Sequence, residues 1–364
     1  MRTLDKQAIE NIALGAALLG AGGGGDPQIG KLITLGAMET SKRGITLLDP
    51  QEIPDDALIV PIAMMGAPTV TLEKAINGRE FQVLFDEIKA LHGKEIYAFM
   101  PIEAGGLNSL FPMAAAAKLG IPVVDADGMG RAFPELQMVT FTIGGVNSSP
   151  MIATDEKGNV TILKTITNKW SEELARSVTM ASGGMISVSL YAMDGATLKK
   201  YGVKNIVTRS ENLGKAIATV KDSATLTPEE NFLKFSEGYK LFKGKIVDVL
   251  RETNGAFNLG KVMLEGIGEF KGETGTVEFQ NENTLATVNG QVVASVPDLI
   301  CLVDTETFLP VPTDAVKYGK RVLVVGLKCF DLWRTPAGLD LVGPHYFGYD
   351  FDYVPLEERV KGAK

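Results

Sequence analysis

Glu103, Asp125 and Asp127 are the residues best placed to do chemistry in this 364-residue chain, because each stands at the end of an apolar run. In open parallel sheets ligands bind beyond the carboxyl ends of the strands. Glu103 follows "IYAFMPI" and precedes Gly105 and Gly106. There a carboxyl would be partly desolvated, its pKa raised toward the range of a general acid or base, unless it merely caps the helix expected from Ser109. Asn108 and Ser109 would open that helix and offer their N–H groups to an anion or carbonyl, or serve as plain caps. Asp125 and Asp127, in "DADGMGRAFPE", have strand spacing and would share one side of the chain. Such a pair could hold a divalent cation, share a proton or grip Arg131, or bond the local N–H groups of a turn.

A second feature is the bare backbone of "GAGGGGDPQIG". Glycine permits positive φ and close approach at an entropic cost, and Asp26-Pro27 reads as an N-cap followed by proline at the first helical position. Gly22, Gly23, Gly24 and Gly25 would let a ligand oxyanion or carbonyl lie against the main chain at a helix start, with Asp26 capping that helix and facing the same crevice. Gly66 closes a third small-residue turn, "MGAP", after "LIVPIAM". No GK[ST] follows the glycines and they come after a helix, which is neither a Walker loop nor a dinucleotide fingerprint. No nucleotide or nicotinamide cofactor is expected; a nucleotide-dependent enzyme using the loop is a rival reading.

The elements that must position these residues are legible from periodicity. Leu4, Ala8, Ile12, Ala16 and Leu19 predict a helix over 4–20, and Pro27 starts the next. Apolar runs at 45–49, 57–64, 95–102 and 121–125 alternate with helical stretches at 71–91 and 109–119, which signifies a mostly parallel sheet with covered faces. Beyond 130, "MVTFTI", "SPMIAT" and "NVTILK" read as strands, and helices are expected near 171–183, 194–201 and 209–236. From Lys243 strand follows strand, with Asn289-Gly290 a two-residue hairpin turn, which predicts a β-rich barrel or sandwich. "ASGGM" reads as a turn at the domain junction, "VPDLI" as structural, and "EERVKGAK" as a solvated tail.

Composition bounds the function. The length suits two domains, and 45% hydrophobic with 22% charged residues is ordinary for a globular chain. A net charge of −8 without basic clusters argues against a nucleic-acid partner. The longest apolar stretch is broken by Pro61, Gly66 and Pro68, so no membrane span is expected. Cys301 and Cys329 lack metal or redox spacing and read as buried hydrophobes, which suits a cytoplasmic location. Only His92 and His345 are present, which rules out histidine-rich metal sites.

"LGAGGGGDP", the long string "PIEAGGLNSLFPMAAAAKLGIPVVDADGMGRAFPE" and "VPDLI" together resemble the S-methyl-thiohydantoin desulfurase-like family over essentially the whole chain. The resemblance implies an α/β three-layer domain over 1–165, then a C-terminal domain over 166–364 with a helical connection and a β-barrel-like part. It implies hydrolysis of a cyclic imide, hydantoin or thiohydantoin, with hydantoinase-type proteins as associates; a non-catalytic subunit of such a system is the alternative, and a homo-oligomer stays open. Joined to the residue reading, main-chain amides of the glycine run and of the Asn108 helix start would stabilise developing charge, beside the Gly66, Gly105 and Gly106 turns. One of Glu103, Asp125 and Asp127 would activate water, directly or through a divalent metal. Arg131 would clasp a substrate carboxylate.

Overall fold

The computed structural model describes residues 1–66, 70, 78–254 and 257–362; Ala67, Pro68 and residues 71–77 of the expected third helix lie outside them. Strands of the first half are β1 (Arg2–Leu4), β2 (Ile45–Leu48), β3 (Leu58–Gly66), β4 (Ile96–Pro101), β5 (Val123–Val124), β6 (Ala126–Asp127), β7 (Met151–Thr154), β8 (Val160–Leu163), β9 (Met185–Ser189), β10 (Met193–Asp194) and β11 (Val203–Lys204). The main sheet runs β1-β2-β5-β4-β3-β9-β7-β8, with β10 also on β3. Its centre, β2, β5, β4 and β3, is parallel, and antiparallel strands flank it on both sides. β3 and β4 are apolar almost throughout instead of alternating, as strands covered on both faces are. The alanine-rich helix Phe111–Leu119 packs on them and on the helix Pro27–Ser41.

The helix Lys6–Leu19 starts where the Asp5 side chain accepts from the Ala8 N–H. It crosses the helix Ile206–Ala218 so closely that Gly15 and Gly214 each face the other helix's main chain. That crossing, with β9 and β10, places much of the segment 185–218 on the first sheet, so in the fold the helical connection belongs with the first half.

The second half is one antiparallel sheet of β12 (Tyr239–Asn254), β13 (Phe257–Gly266), β14 (Thr274–Gln280), β15 (Glu282–Val288), β16 (Gln291–Ser295), β17 (Leu299–Asp304) and β18 (Arg321–Leu327). Its order is β16-β15-β14-β13-β12-β18-β17. It curls into a half-barrel around Phe242, Ile246, Val262, Val277, Leu302 and Val324. Asn289 and Gly290, both at positive φ, make the expected hairpin turn. Among the described residues no helix is long and apolar enough to cross a membrane.

Three expectations are corrected. "MVTFTI" is not a strand: Thr140–Ile143 is a helical turn, anchored where Thr140 donates through N and Oγ1 to the Gly128 carbonyl. "EERVKGAK" is not a loose tail, since Leu356–Gly362 is a helix whose buried Leu356 sits against Gly326. The helix expected over 4–20 starts only at Lys6, since Leu4 belongs to β1, which edges the first sheet.

The glycine run is explained by close approach. The Gly24 carbonyl accepts from the Leu107 and Asn108 amides, and backbone meets backbone at Gly24 and Gly105. A Cβ on Gly105 would lie 2.5 Å from the Gly24 Cα. Gly22 presses on Thr313 and Asn283, and a methyl at Gly23 would overlap the Glu282 carboxyl. Gly105→Ala is therefore expected to lower stability by roughly 1–3 kcal/mol through overpacking. Gly36→Ala, on an open helical surface with nothing near its Cβ, is expected to raise it by up to about 1 kcal/mol; paired denaturant melts of the two variants check both signs.

Candidate active site

The glycine loop, the ends of β3 and β4, and the β14–β15 hairpin tip enclose a cleft of about 120 Å³. Pockets for drug-sized ligands measure roughly 300–1,000 Å³, so this smaller cleft suits at most a small ring. Glu135 and Arg176 also line a wider chamber of about 590 Å³, together with Phe257, Leu259 and Met180. There Glu135 pairs with Lys169 and Arg176 with Glu172, and the Arg176 guanidinium also lies 4.5 Å over the Phe257 ring.

Glu103 lines the cleft and is only 6% exposed. Asn108 Nδ2 donates to Glu103 Oε1 at 2.7 Å. The orientation of that amide is fixed by β3, because the Met64 N–H donates to Asn108 Oδ1 (2.9 Å) and the Met64 carbonyl accepts from Nδ2 (3.1 Å). Burial pushes the Glu103 carboxyl up to about 7; the Asn108 bond, a Phe133 main-chain bond and the Arg131 charge only moderate the rise.

Across the cleft stands Glu282, which the sequence reading missed. The hairpin turns at Asn281, in the left-handed region, and Glu282 is the first residue of β15. It is 4% exposed, and its Oε2 has no hydrogen-bond partner among the described residues. Burial, and then the repulsion of Glu103, push its carboxyl well above the usual range. Thr313 and Asp314 complete this wall. The second half thus grips the loop from outside: the Ala21 carbonyl accepts from the Asn283 N–H, and the Gly22 carbonyl from Thr313 N and Oγ1.

Gly22, Gly23, Gly24, Gly25, Gly66, Glu103 and Asn108 are brought together on the cleft surface. The amides of Gly22, Gly24 and Gly25 donate to no acceptor among the described residues. Gly105 and Gly106 lie beneath the loop and not on the surface. Asp26 caps the helix Pro27–Ser41 through the Gln28 and Ile29 amides, outside the cleft lining.

Other expectations are corrected by geometry. The helix starts at Phe111, and the Asn108 and Ser109 amides are spent on the Gly24 and Gly105 carbonyls, so they offer nothing to a ligand. Asp125 faces away, accepting from the Val207 and Thr208 amides and the Thr208 hydroxyl at the start of the helix Ile206–Ala218. Asp127 accepts from the Met129 and Gly130 amides in a turn behind the cleft, with its Oδ2 unpartnered among the described residues. Arg131 lies outside the cleft lining: its guanidinium is fully buried and donates to the carbonyls of Ala132, Asn283, Pro297 and Asp298 at 2.8–3.3 Å. Among the described residues no three of His, Cys, Asp and Glu gather as metal ligands. Cys301 and Cys329 are free and buried, each thiol pushed up to about 12 by burial, and His345 is exposed beside Asp352.

Two family models match the chain end to end: "S-Me-THD-like, N-terminal domain" over residues 7–165 and "S-Me-THD-like, C-terminal domain" over 166–356. A crystal structure of a protein from Chromobacterium violaceum is similar over 98% of this chain and 100% of its own, with a TM-score of 0.76 and 24% identity, a likeness of fold alone. No curated protein matches.

The raised carboxyl makes stability depend on pH. The folded protein keeps the Glu103 proton up to about pH 7, whereas the unfolded chain releases it near the ordinary 4.5, so stability falls as pH rises between those values. The difference amounts to on the order of 3 kcal/mol at pH 8. Glu103→Gln is expected to make the decline shallower, leaving the part that the buried carboxyls of Glu282 and Asp127 contribute; thermal melts of both proteins at pH 5 and pH 8 check it.

Proposed function

We propose a function from one premise: the chain belongs to the S-Me-THD-like family, and its cleft suits hydrolysis of a small cyclic thiohydantoin, hydantoin or imide. The observation that carries this reading is Glu103, a buried carboxyl poised near neutrality and aimed by an amide that β3 holds in one orientation. A carboxylate of that kind takes a proton from water efficiently near pH 7.

In an S-methyl-thiohydantoin the carbon bearing sulfur is the electrophile. Glu103 removes a proton from water as its oxygen bonds to that carbon; the carbon–sulfur bond then breaks, and the sulfur leaves with the bonding pair and is released as the thiol. Charge that develops on the ring meets the unspent amides of Gly24 and Gly25, which line the same cleft. Fixed donors of this type contribute about 10²–10³ in rate each. The ring's apolar faces are met by Met65, Phe133 and Met185.

Wild-type protein is expected to release methanethiol from S-methyl-thiohydantoins at a rate that rises with pH through about 7, following deprotonation of Glu103. Glu103→Gln, with its fold intact by circular dichroism, is expected to lose about 10²–10⁴ in kcat. A variant that keeps the wild-type rate, or a wild type that binds these rings without turning them over, overturns the proposal.

A further inference from the structure

We infer that Glu282 is the general acid of the same site, delivering a proton from the second half of the molecule to the leaving atom while Glu103 takes one from water. This rests on the hydrolytic reading above. Its ground is placement: Glu282 and Glu103 line one narrow cleft from opposite halves, and each is buried. Glu103 is committed to Asn108, whereas Glu282 Oε2 has no partner among the described residues. A carboxyl left unpartnered in the interior costs free energy unless it is neutral or meets a ligand. The hairpin itself is held without the Glu282 carboxyl, by the main chain of Asn281 and Asn283 and by Thr313.

Two interacting carboxyls in different surroundings divide into one acid and one base. Glu103 has Asn108 and a main-chain donor to stabilise its anion; Glu282 has no comparable side-chain donor among the described residues and keeps the proton. The step then balances. The water oxygen bonds to the ring carbon and one of its protons goes to Glu103, the bond to sulfur breaks, and the Glu282 proton moves to sulfur to give a neutral thiol. Afterwards Glu103 holds the extra proton and Glu282 is ionised, and exchange with water restores both.

A proton donor matters most for a poor leaving group. The test compares S-methyl with S-(4-nitrophenyl) thiohydantoin, whose aryl thiolate leaves unaided. Glu282→Gln is expected to slow the S-methyl compound about a hundredfold or more and the aryl compound less than about tenfold, while Glu103→Gln slows both alike. Equal slowing of both by Glu282→Gln overturns the assignment and leaves the Glu103 reading standing; a Glu103→Gln variant with wild-type rates overturns that reading instead. Should Glu282→Gln fail to fold, wild-type rates across a series of aryl and alkyl thiols decide: a shallow dependence on leaving-group acidity supports the acid, and a steep one overturns it.

Discussion

One buried guanidinium ties the two halves of this molecule together. Arg131 is fully enclosed, and its donors reach the main-chain carbonyls of Ala132, of Asn283 beside the hairpin tip, and of Pro297 and Asp298 before β17. Phe133 stacks 4.5 Å below it. Taking such a charge out of water costs several kcal/mol, and the dipoles of the four carbonyls offset it. The same positive charge moderates the rise in both Glu103 and Glu282. The tie between the halves is thus also the electrostatic background of the acid pair.

Around that centre the backbone takes conformations that side-chain-bearing residues rarely adopt. Two carboxyls line one cleft, the loop takes positive φ at Ala21, and a hairpin turns in the left-handed region at Asn281. Features of this sort persist where surrounding packing over-determines them. Here the packing is specific: Gly24 against Gly105 beneath, Thr313 and Asn283 outside. Asp298 plays the complementary structural part, accepting from the Cys329 and Leu356 amides, Arg334 and Tyr353.

Much of this is readable in the chain because its signals are local. Glu103 stands after an apolar run, Asp26-Pro27 marks a helix start, and Asn289-Gly290 marks a hairpin; each depends on a few neighbours. "VPDLI" reads as structural for the right reason, a lone acid before a buried strand. The roles that escape a sequence reading depend on distant partners. Arg131 looks like a substrate clasp because its partners are carbonyls, which leave no trace in residue type. Asp125 caps a helix that begins at Ile206, and Glu282 reaches the cleft only because the second sheet curls its hairpin onto Gly23. "MVTFTI" has strand-like residues, yet its contact with Gly128 wins over propensity.

The glycine loop is sewn on two sides, by Gly24 to the first half and by Ala21 and Gly22 to the second. A segment fastened in this way cannot swing aside to admit a guest. Among the described residues the cleft and the wider chamber share Glu135 and Arg176, so on that side the loop is a fixed wall and whatever flexes belongs to the side chains of an ionic porch.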